Sequence, residues 1–221
     1  MLQLYDVAYN WLGLNQYLFL EINKITNIGI LPSLLQFTSH FFDIFHFSIY
    51  YIMICLYYYI TFRNNQAKLS QKALEKVFWS KYNHMILIGT TYVMLGCTYA
   101  FLKFSINFPR PFCSIKSYYT VANIDAERCL SGFPSAHIAI AVLILYCFKP
   151  CLSKMQTIFG IIIIVLVGLS RISLAMHYPA DLLYSILFMI FIIYLSKIFV
   201  SIFKNNIVKY IGNMILTTIV K

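Results

Sequence analysis

The sequence predicts an all-α integral membrane protein: a helical bundle of five transmembrane helices, six if the N-terminal segment also crosses, plus an N-terminal interfacial helix. Hydrophobic residues fill 61% of the 221 positions and charged residues only 11%, whereas a soluble domain carries about 25% charged residues. Mean hydropathy is +0.75. The apolar residues are also gathered into runs long enough for about 30 Å of hydrocarbon. One membrane-embedded domain is expected over residues 1–221, with an N-terminal part at 1–40 and the chemistry-bearing residues between 103 and 181.

Taken in order, Met1–His40 mixes Glu21, Asn23, Lys24 and Pro32 into apolar sequence, which suits an interfacial helix followed by a short re-entrant or surface helix. A span through Trp11–Leu35 is the alternative. No Lys or Arg precedes Lys24, so the basic start of a cleaved signal peptide is missing. Spans are then expected at Phe42–Phe62, Met85–Phe104, Pro134–Phe148, Met155–Ser173 and Pro179–Phe203. The third is short at these boundaries.

The net charge of +10 reads as a topology signal. Arg63, Lys68, Lys72, Lys76 and Lys81 lie between the first two spans. Lys149 and Lys154 follow the third, and Lys197, Lys204, Lys209 and Lys221 lie near the C-terminus. These eleven of the seventeen basic residues fall on one side of a five-span arrangement, which the positive-inside rule makes cytoplasmic. The opposite side keeps Lys24, Lys116 and Arg128, plus Lys103, Arg110 and Arg171. This distribution suits contact with anionic lipid headgroups and argues against a nucleic-acid partner.

Cys55, Cys97 and Cys147 fall in spans and Cys151 in a short turn. Cys113 and Cys129 fall in the outer loop Ser105–Phe133. They are either two free thiols or, as expected in an oxidising compartment, a disulfide holding the loop that carries Arg110.

Three polar clusters interrupt the hydrocarbon-like sequence at span edges: Lys103 with Arg110 and Pro111; Pro134, Ser135, Ala136 and His137; and Ser170, Arg171, His177 and Asp181. Charges near a membrane span cost several kcal/mol in some settings and mark functional candidates. His177 and Asp181 are four apart, so the carboxylate can approach the imidazole and fix its tautomer, leaving the other ring nitrogen nucleophilic. Pro179 suits the first turn of the following helix. Alone, the pair would equally well cap a helix. Pro134 is expected to start the third span, whose first-turn amides would face an anion. Pro109 and Pro111 stiffen the backbone around Arg110, whose fork suits phosphate oxygens, while Lys103 supplies a point charge. Singly, Lys103 reads as a snorkelling side chain and Arg110 as a topology anchor. Together, three cations, two histidines and no Cys/His metal spacing point to a bound tetrahedral oxyanion and to covalent catalysis with neither metal nor cofactor.

The order Lys-x6-Arg-Pro, Pro-Ser-x-His, Ser-Arg-x5-His-x3-Asp resembles the three-part signature of the type-2 phosphatidic acid phosphatase superfamily. That superfamily includes membrane lipid phosphatases, glucose-6-phosphatase and the vanadium haloperoxidases. The match spans Lys103–Asp181. It departs from the family at Ala136, where Gly is usual, and in span number, which is usually six. The resemblance implies that His177 attacks phosphorus to give a phosphohistidine, Asp181 orients it, and His137 protonates the leaving alkoxide. It also implies that Lys103, Arg110, Ser135, the Ala136 amide and Arg171 hold the phosphate oxygens, with no role assigned to Ser170. The expected activity is that of a phosphoric monoester hydrolase acting on a membrane lipid phosphate, at the periplasmic face of a bacterial inner membrane. Lipid A is the leading substrate; undecaprenyl pyrophosphate, phosphatidylglycerol phosphate and phosphatidic acid compete, as does phosphate transfer between lipids. A channel or scaffold would leave the grouping of His, Arg and Asp without a reason.

Overall fold

In the computed structural model, residues 6–120 and 129–220 are described. Lys221 and, between α4 and α5, Asp125, Glu127 and Arg128 lie outside them. The described chain is helical, in the order α1 (Leu14–Thr26), α2 (Leu31–His40), α3 (Ile44–Gln66), α4 (Gln71–Ser105), α5 (Ala136–Phe148), α6 (Lys154–Ser173), α7 (Pro179–Phe203) and α8 (Lys209–Val220). A single helical turn, Pro111–Ser114, lies between α4 and α5. No strand occurs among the described residues.

Among the described residues, four helical stretches are long and apolar enough to cross a membrane: Ile44–Gln66, Gln71–Ser105, Lys154–Ser173 and Pro179–Ile219. The chain is a multi-pass membrane protein. The N-terminal segment is two helices bent by 108° at the break between Thr26 and Leu31, a geometry of a broken span or a re-entrant loop. Helix α5 has 13 residues, about 20 Å at 1.5 Å per residue, and a 3₁₀ turn at Lys149–Cys151 extends it.

Two boundaries differ from the sequence expectation. The stretch Arg63–His84, read as a loop, is helical from Gln71 onward. Its lysines end the apolar run without ending the helix, because Lys, Glu, Ala and Leu are all good helix formers. The third segment begins its helix at Ala136 rather than Pro134. Ser135 is still extended there, with φ −82° and ψ 110°.

The chain forms two compact units, one of residues Met1–His46 and Cys97–Met189 and the other of Phe47–Gly96 and Ile190–Lys221. In the first, α6 is the central helix, with α1, α2 and α5 packed on it. Gly160 permits the close approach of α5, since a Cβ there would lie 2.5 Å from Leu145 Cδ1; small residues commonly serve this purpose between membrane helices. Ile138, Ala141 and Val167 form the buried seam, with Leu182 of α7 against it. The second unit has an aromatic core of Phe62, Leu74, Phe78, Tyr82 and Val208. A π-helical turn at Lys204–Val208 interrupts its C-terminal stretch, and the Tyr82 hydroxyl donates to the Val208 carbonyl at 2.9 Å.

Candidate active site

The three polar clusters all belong to the first unit. The third is built where α6 ends and α7 begins. The Leu174 and Met176 amides donate back to the Ser170 and Arg171 carbonyls, and Ala175 takes a left-handed φ of 51°. This tight reversal returns the chain so that His177 lies just before α7 and Asp181 in its first turn. His177 Nδ1 is 3.4 Å from Asp181 Oδ2, and the two side chains are 4% and 1% exposed. The Tyr178 amide donates to Asp181 Oδ2 at 2.8 Å, and the Tyr9 hydroxyl donates to Oδ1 at 2.6 Å.

The second cluster is tied to the same helix. Ser135 donates its backbone N–H to Ser185 Oγ at 2.7 Å, and Ser185 Oγ donates to the Asp181 carbonyl at 2.5 Å. The Ser135 amide is thus occupied, and the first-turn amides that follow it, beginning at Ala136, lie at the positive end of the α5 dipole. The Tyr99 hydroxyl holds the Ser135 carbonyl at 3.3 Å.

The first cluster is fixed by the loop between α4 and α5. The Lys103 ammonium donates to the Ser131 carbonyl at 2.9 Å, and the Ser131 hydroxyl returns a bond to the Lys103 carbonyl at 3.2 Å. The Arg110 amide donates to the Cys129 carbonyl at 2.8 Å and the Gly132 amide to the Phe108 carbonyl at 2.9 Å. Gly132 is needed at this approach: a Cβ would come within 3.1 Å of the Phe108 carbonyl oxygen. Cys113 and Cys129 are joined by a disulfide with Cα atoms 5.7 Å apart. The Arg110 guanidinium reaches Met176 Sδ at 3.1 Å, one residue before His177.

The electrostatics bring the clusters to one place. Burial, followed by the fields of Arg171, Arg110, Lys103 and His137, pushes the His177 imidazole well below its ordinary 6.5. It is therefore neutral near pH 7, the form in which a ring nitrogen has a lone pair to give. Ser135 Oγ, Ser170 Oγ, Arg171 Nε and His177 Nδ1 are buried without a hydrogen-bond partner among the described residues. Buried polar atoms are normally paired, so the two hydroxyls and Arg171 Nε fit a polar, anionic guest, while His177 Nδ1 faces Asp181. No group of three His, Cys, Asp or Glu side chains suited to a metal occurs among the described residues.

Several contributors carry no motif. Asn15 Oδ1 accepts the Ala180 amide at 2.9 Å. Asn23 Nδ2 donates to the Ile172 and Ser173 carbonyls at 3.0 and 3.3 Å, closing the C-terminal end of α6. Both asparagines are buried, with Phe19 between them. Their eight-residue spacing, two turns on one face of an apolar helix, is the signal that identifies them. Ser185 is likewise signalled by lying four residues after Asp181. Tyr9, 172 residues from its partner, has no such local signal.

A family model described as the PAP2 superfamily matches residues 84–205, more than half of the chain. The crystal structure of Aquifex aeolicus LpxE has a similar fold, with a TM-score of 0.58 at 18% sequence identity, over 83% of this chain and 94% of that one. No curated protein matches the chain.

Proposed function

We propose that the chain, which belongs to the PAP2 superfamily, is a membrane lipid phosphatase that works through a phosphohistidine at His177. The observation that carries this reading is the buried His177 with Asp181 Oδ2 at 3.4 Å from its Nδ1, in the field of Arg171, Arg110 and Lys103.

In this reading Lys103, Arg110, Arg171, the Ser135 hydroxyl and the α5 amides beginning at Ala136 bind the phosphate oxygens. They stabilise the charge that spreads over them in the transition state. His177 Nε2 attacks phosphorus, the bond from phosphorus to the lipid oxygen breaks, and His137 gives that oxygen its proton. His137, now neutral, takes a proton from water. The resulting hydroxide attacks phosphorus, the P–N bond breaks, and inorganic phosphate leaves with His177 restored. Asp181 holds Nδ1–H throughout and accompanies the positive charge on the phosphorylated ring. No metal enters the scheme, because the residues around the phosphate are already cationic.

The basic residues at Arg63–Lys81 and in the C-terminal stretch support a cytoplasmic placement of those segments and hence a site at the periplasmic face of a bacterial inner membrane. A phosphoric monoester on a bulky lipid suits that face, and lipid A is the leading substrate. The deciding experiment is phosphate release by the purified chain from lipid A, undecaprenyl pyrophosphate, phosphatidylglycerol phosphate and phosphatidic acid, each with EDTA present. Release from lipid A without an acceptor lipid is expected. Turnover that appears only with an acceptor would make the enzyme a transferase, and activity lost to EDTA and restored by metal would overturn the metal-free scheme.

A further inference from the structure

Asp181 is held from a part of the chain that lies before the region matched by the family model, which begins at residue 84. Tyr9 is 6% exposed, and its hydroxyl donates to Asp181 Oδ1 at 2.6 Å. Its ring meets each of the three motif segments. The centroid of Phe108, two residues before Arg110, is 4.5 Å away. That of Phe133, just before Pro134, is 6.0 Å away. That of Tyr178, next to His177, is 6.4 Å away. Tyr184, one turn along α7 from Ala180, donates its hydroxyl to the Ala8 carbonyl, so the backbone beside Tyr9 is anchored as well.

We propose that Tyr9 is a positioning residue for phosphoryl transfer: its hydroxyl fixes the plane of the Asp181 carboxylate and, through it, the ring of His177. This assignment rests on the phosphohistidine reading. The second torsion of an Asp side chain is soft and broadly distributed, so one donor does not fix the carboxylate plane. Here the Tyr178 amide holds Oδ2 and the Tyr9 hydroxyl holds Oδ1, one donor on each oxygen. With Tyr9 in place, Oδ2 faces His177 Nδ1 and selects the tautomer whose Nε2 carries the lone pair. Without the hydroxyl the carboxylate can swing, and the nucleophile loses its orientation while the phosphate-binding cations stay where they are.

The test is Tyr9→Phe, alone and combined with Asp181→Asn, assayed by phosphate release from lipid A, or from phosphatidic acid if lipid A is not turned over. A bond to a charged group of this kind predicts a fall in kcat of about ten- to a hundredfold, with KM within about twofold. In the Asp181→Asn background the same substitution should have almost no further effect, because the two residues act as one unit. Trp11→Leu, which loosens the same aromatic cluster without touching the hydroxyl, is the control for stability and should leave kcat near wild type. An equal loss from Y9F with and without Asp181, or a loss confined to KM or melting temperature, would overturn the assignment. If the wild type releases phosphate from neither lipid, the phosphatase reading falls. Positioning is then judged by the ¹⁵N shifts of the His177 ring, which Y9F should move and which, left unmoved, would refute it.

Discussion

Two stretches of this chain are rich in cations and differ in almost every other respect. From Arg63 to Lys81, five basic residues lie on the end of α3, the turn after it and the start of α4, mostly exposed. Arg63 reaches Gln66 and the Ile219 carbonyl, and Lys81 lies 4.7 Å over the Tyr58 ring. Lys103, Arg110 and Arg171 are half-buried or buried and are gathered from three separate segments around His177. The first group is spread along one sequence stretch and solvated, so its members act additively as a surface charge. The second is convergent and partly desolvated, so each cation strengthens the others' pull on a common anion and their mutual repulsion without one. In the proposed scheme, convergence and burial put the second group to a chemical use that the number of cations alone does not reveal.

The largest expected effect tests the centre of that convergence. His177→Ala should lower phosphate release by roughly three to six orders of magnitude, as loss of a covalent nucleophile does, with the melting temperature little changed. Acid-labile phosphate trapped on the wild-type protein should disappear with it. Turnover near the wild-type rate in this variant would end the covalent scheme.

Next comes the contrast itself. Arg171→Lys keeps the charge but loses the planar fork, and its kcat/KM should fall by about a hundredfold, the usual scale for losing one oxyanion donor. Lys76→Ala, on the exposed stretch, should stay within about twofold, since isolated surface charges contribute little. Equal effects from the two substitutions would erase the distinction between the regions.

Much of this contrast is legible in the sequence. The apolar runs give the membrane helices, and the order of Lys103, Arg110, Ser135, His137, Arg171, His177 and Asp181 links the three clusters before any geometry is known. The extension of α4 back to Gln71 was hidden because hydropathy ends at the lysines whereas helix propensity does not. The start of α5 at Ala136 was hidden because it depends on Ser185 taking the Ser135 amide, a bond between residues 50 apart. Tyr9 was hidden most completely. A single tyrosine in an aromatic-rich chain has no period and no motif, and its partner lies 172 residues away in the sequence.

A smaller effect follows from the environment of His177. Its imidazole sits well below 6.5 in the folded protein, through burial first and neighbouring cations second, and near that ordinary value when unfolded. Below pH 6.5 the unfolded chain therefore binds the extra proton and the native one resists it, so this contribution to stability is intact above 6.5 and lost as pH falls. The loss is at most about 1.4 kcal/mol per pH unit for one such group. Thermal melts from pH 8 to pH 5 should show a decline that His177→Ala reduces; identical slopes in the two proteins would mean that His177 is not neutral in the folded state.

The disulfide has only a several-fold expected effect on KM and sharpens the comparison from the side of the loop. Cys113 lies three residues after Arg110, and Cys129 accepts the Arg110 amide through its carbonyl. The bridge closes a loop of about fifteen residues, worth on the order of 3 kcal/mol in the chain-entropy model, but its local consequence is positional. It keeps the Arg110 backbone beside Ser131 and Gly132, and so keeps the guanidinium with Lys103 and the start of α5. Without it the loop can withdraw one cation from the convergent group while His177, Asp181 and Arg171, carried by α6, α7 and their turn, remain in place. Cys113→Ser, or reductant on the wild type, should therefore raise KM several-fold and lower the melting temperature, yet still allow phosphate to be trapped on His177. Non-reducing peptide mapping must find the 113–129 pair for this account to hold. Two alkylatable thiols at these positions, or an unchanged KM in Cys113→Ser, would show that Arg110 is placed by its hydrogen bonds alone.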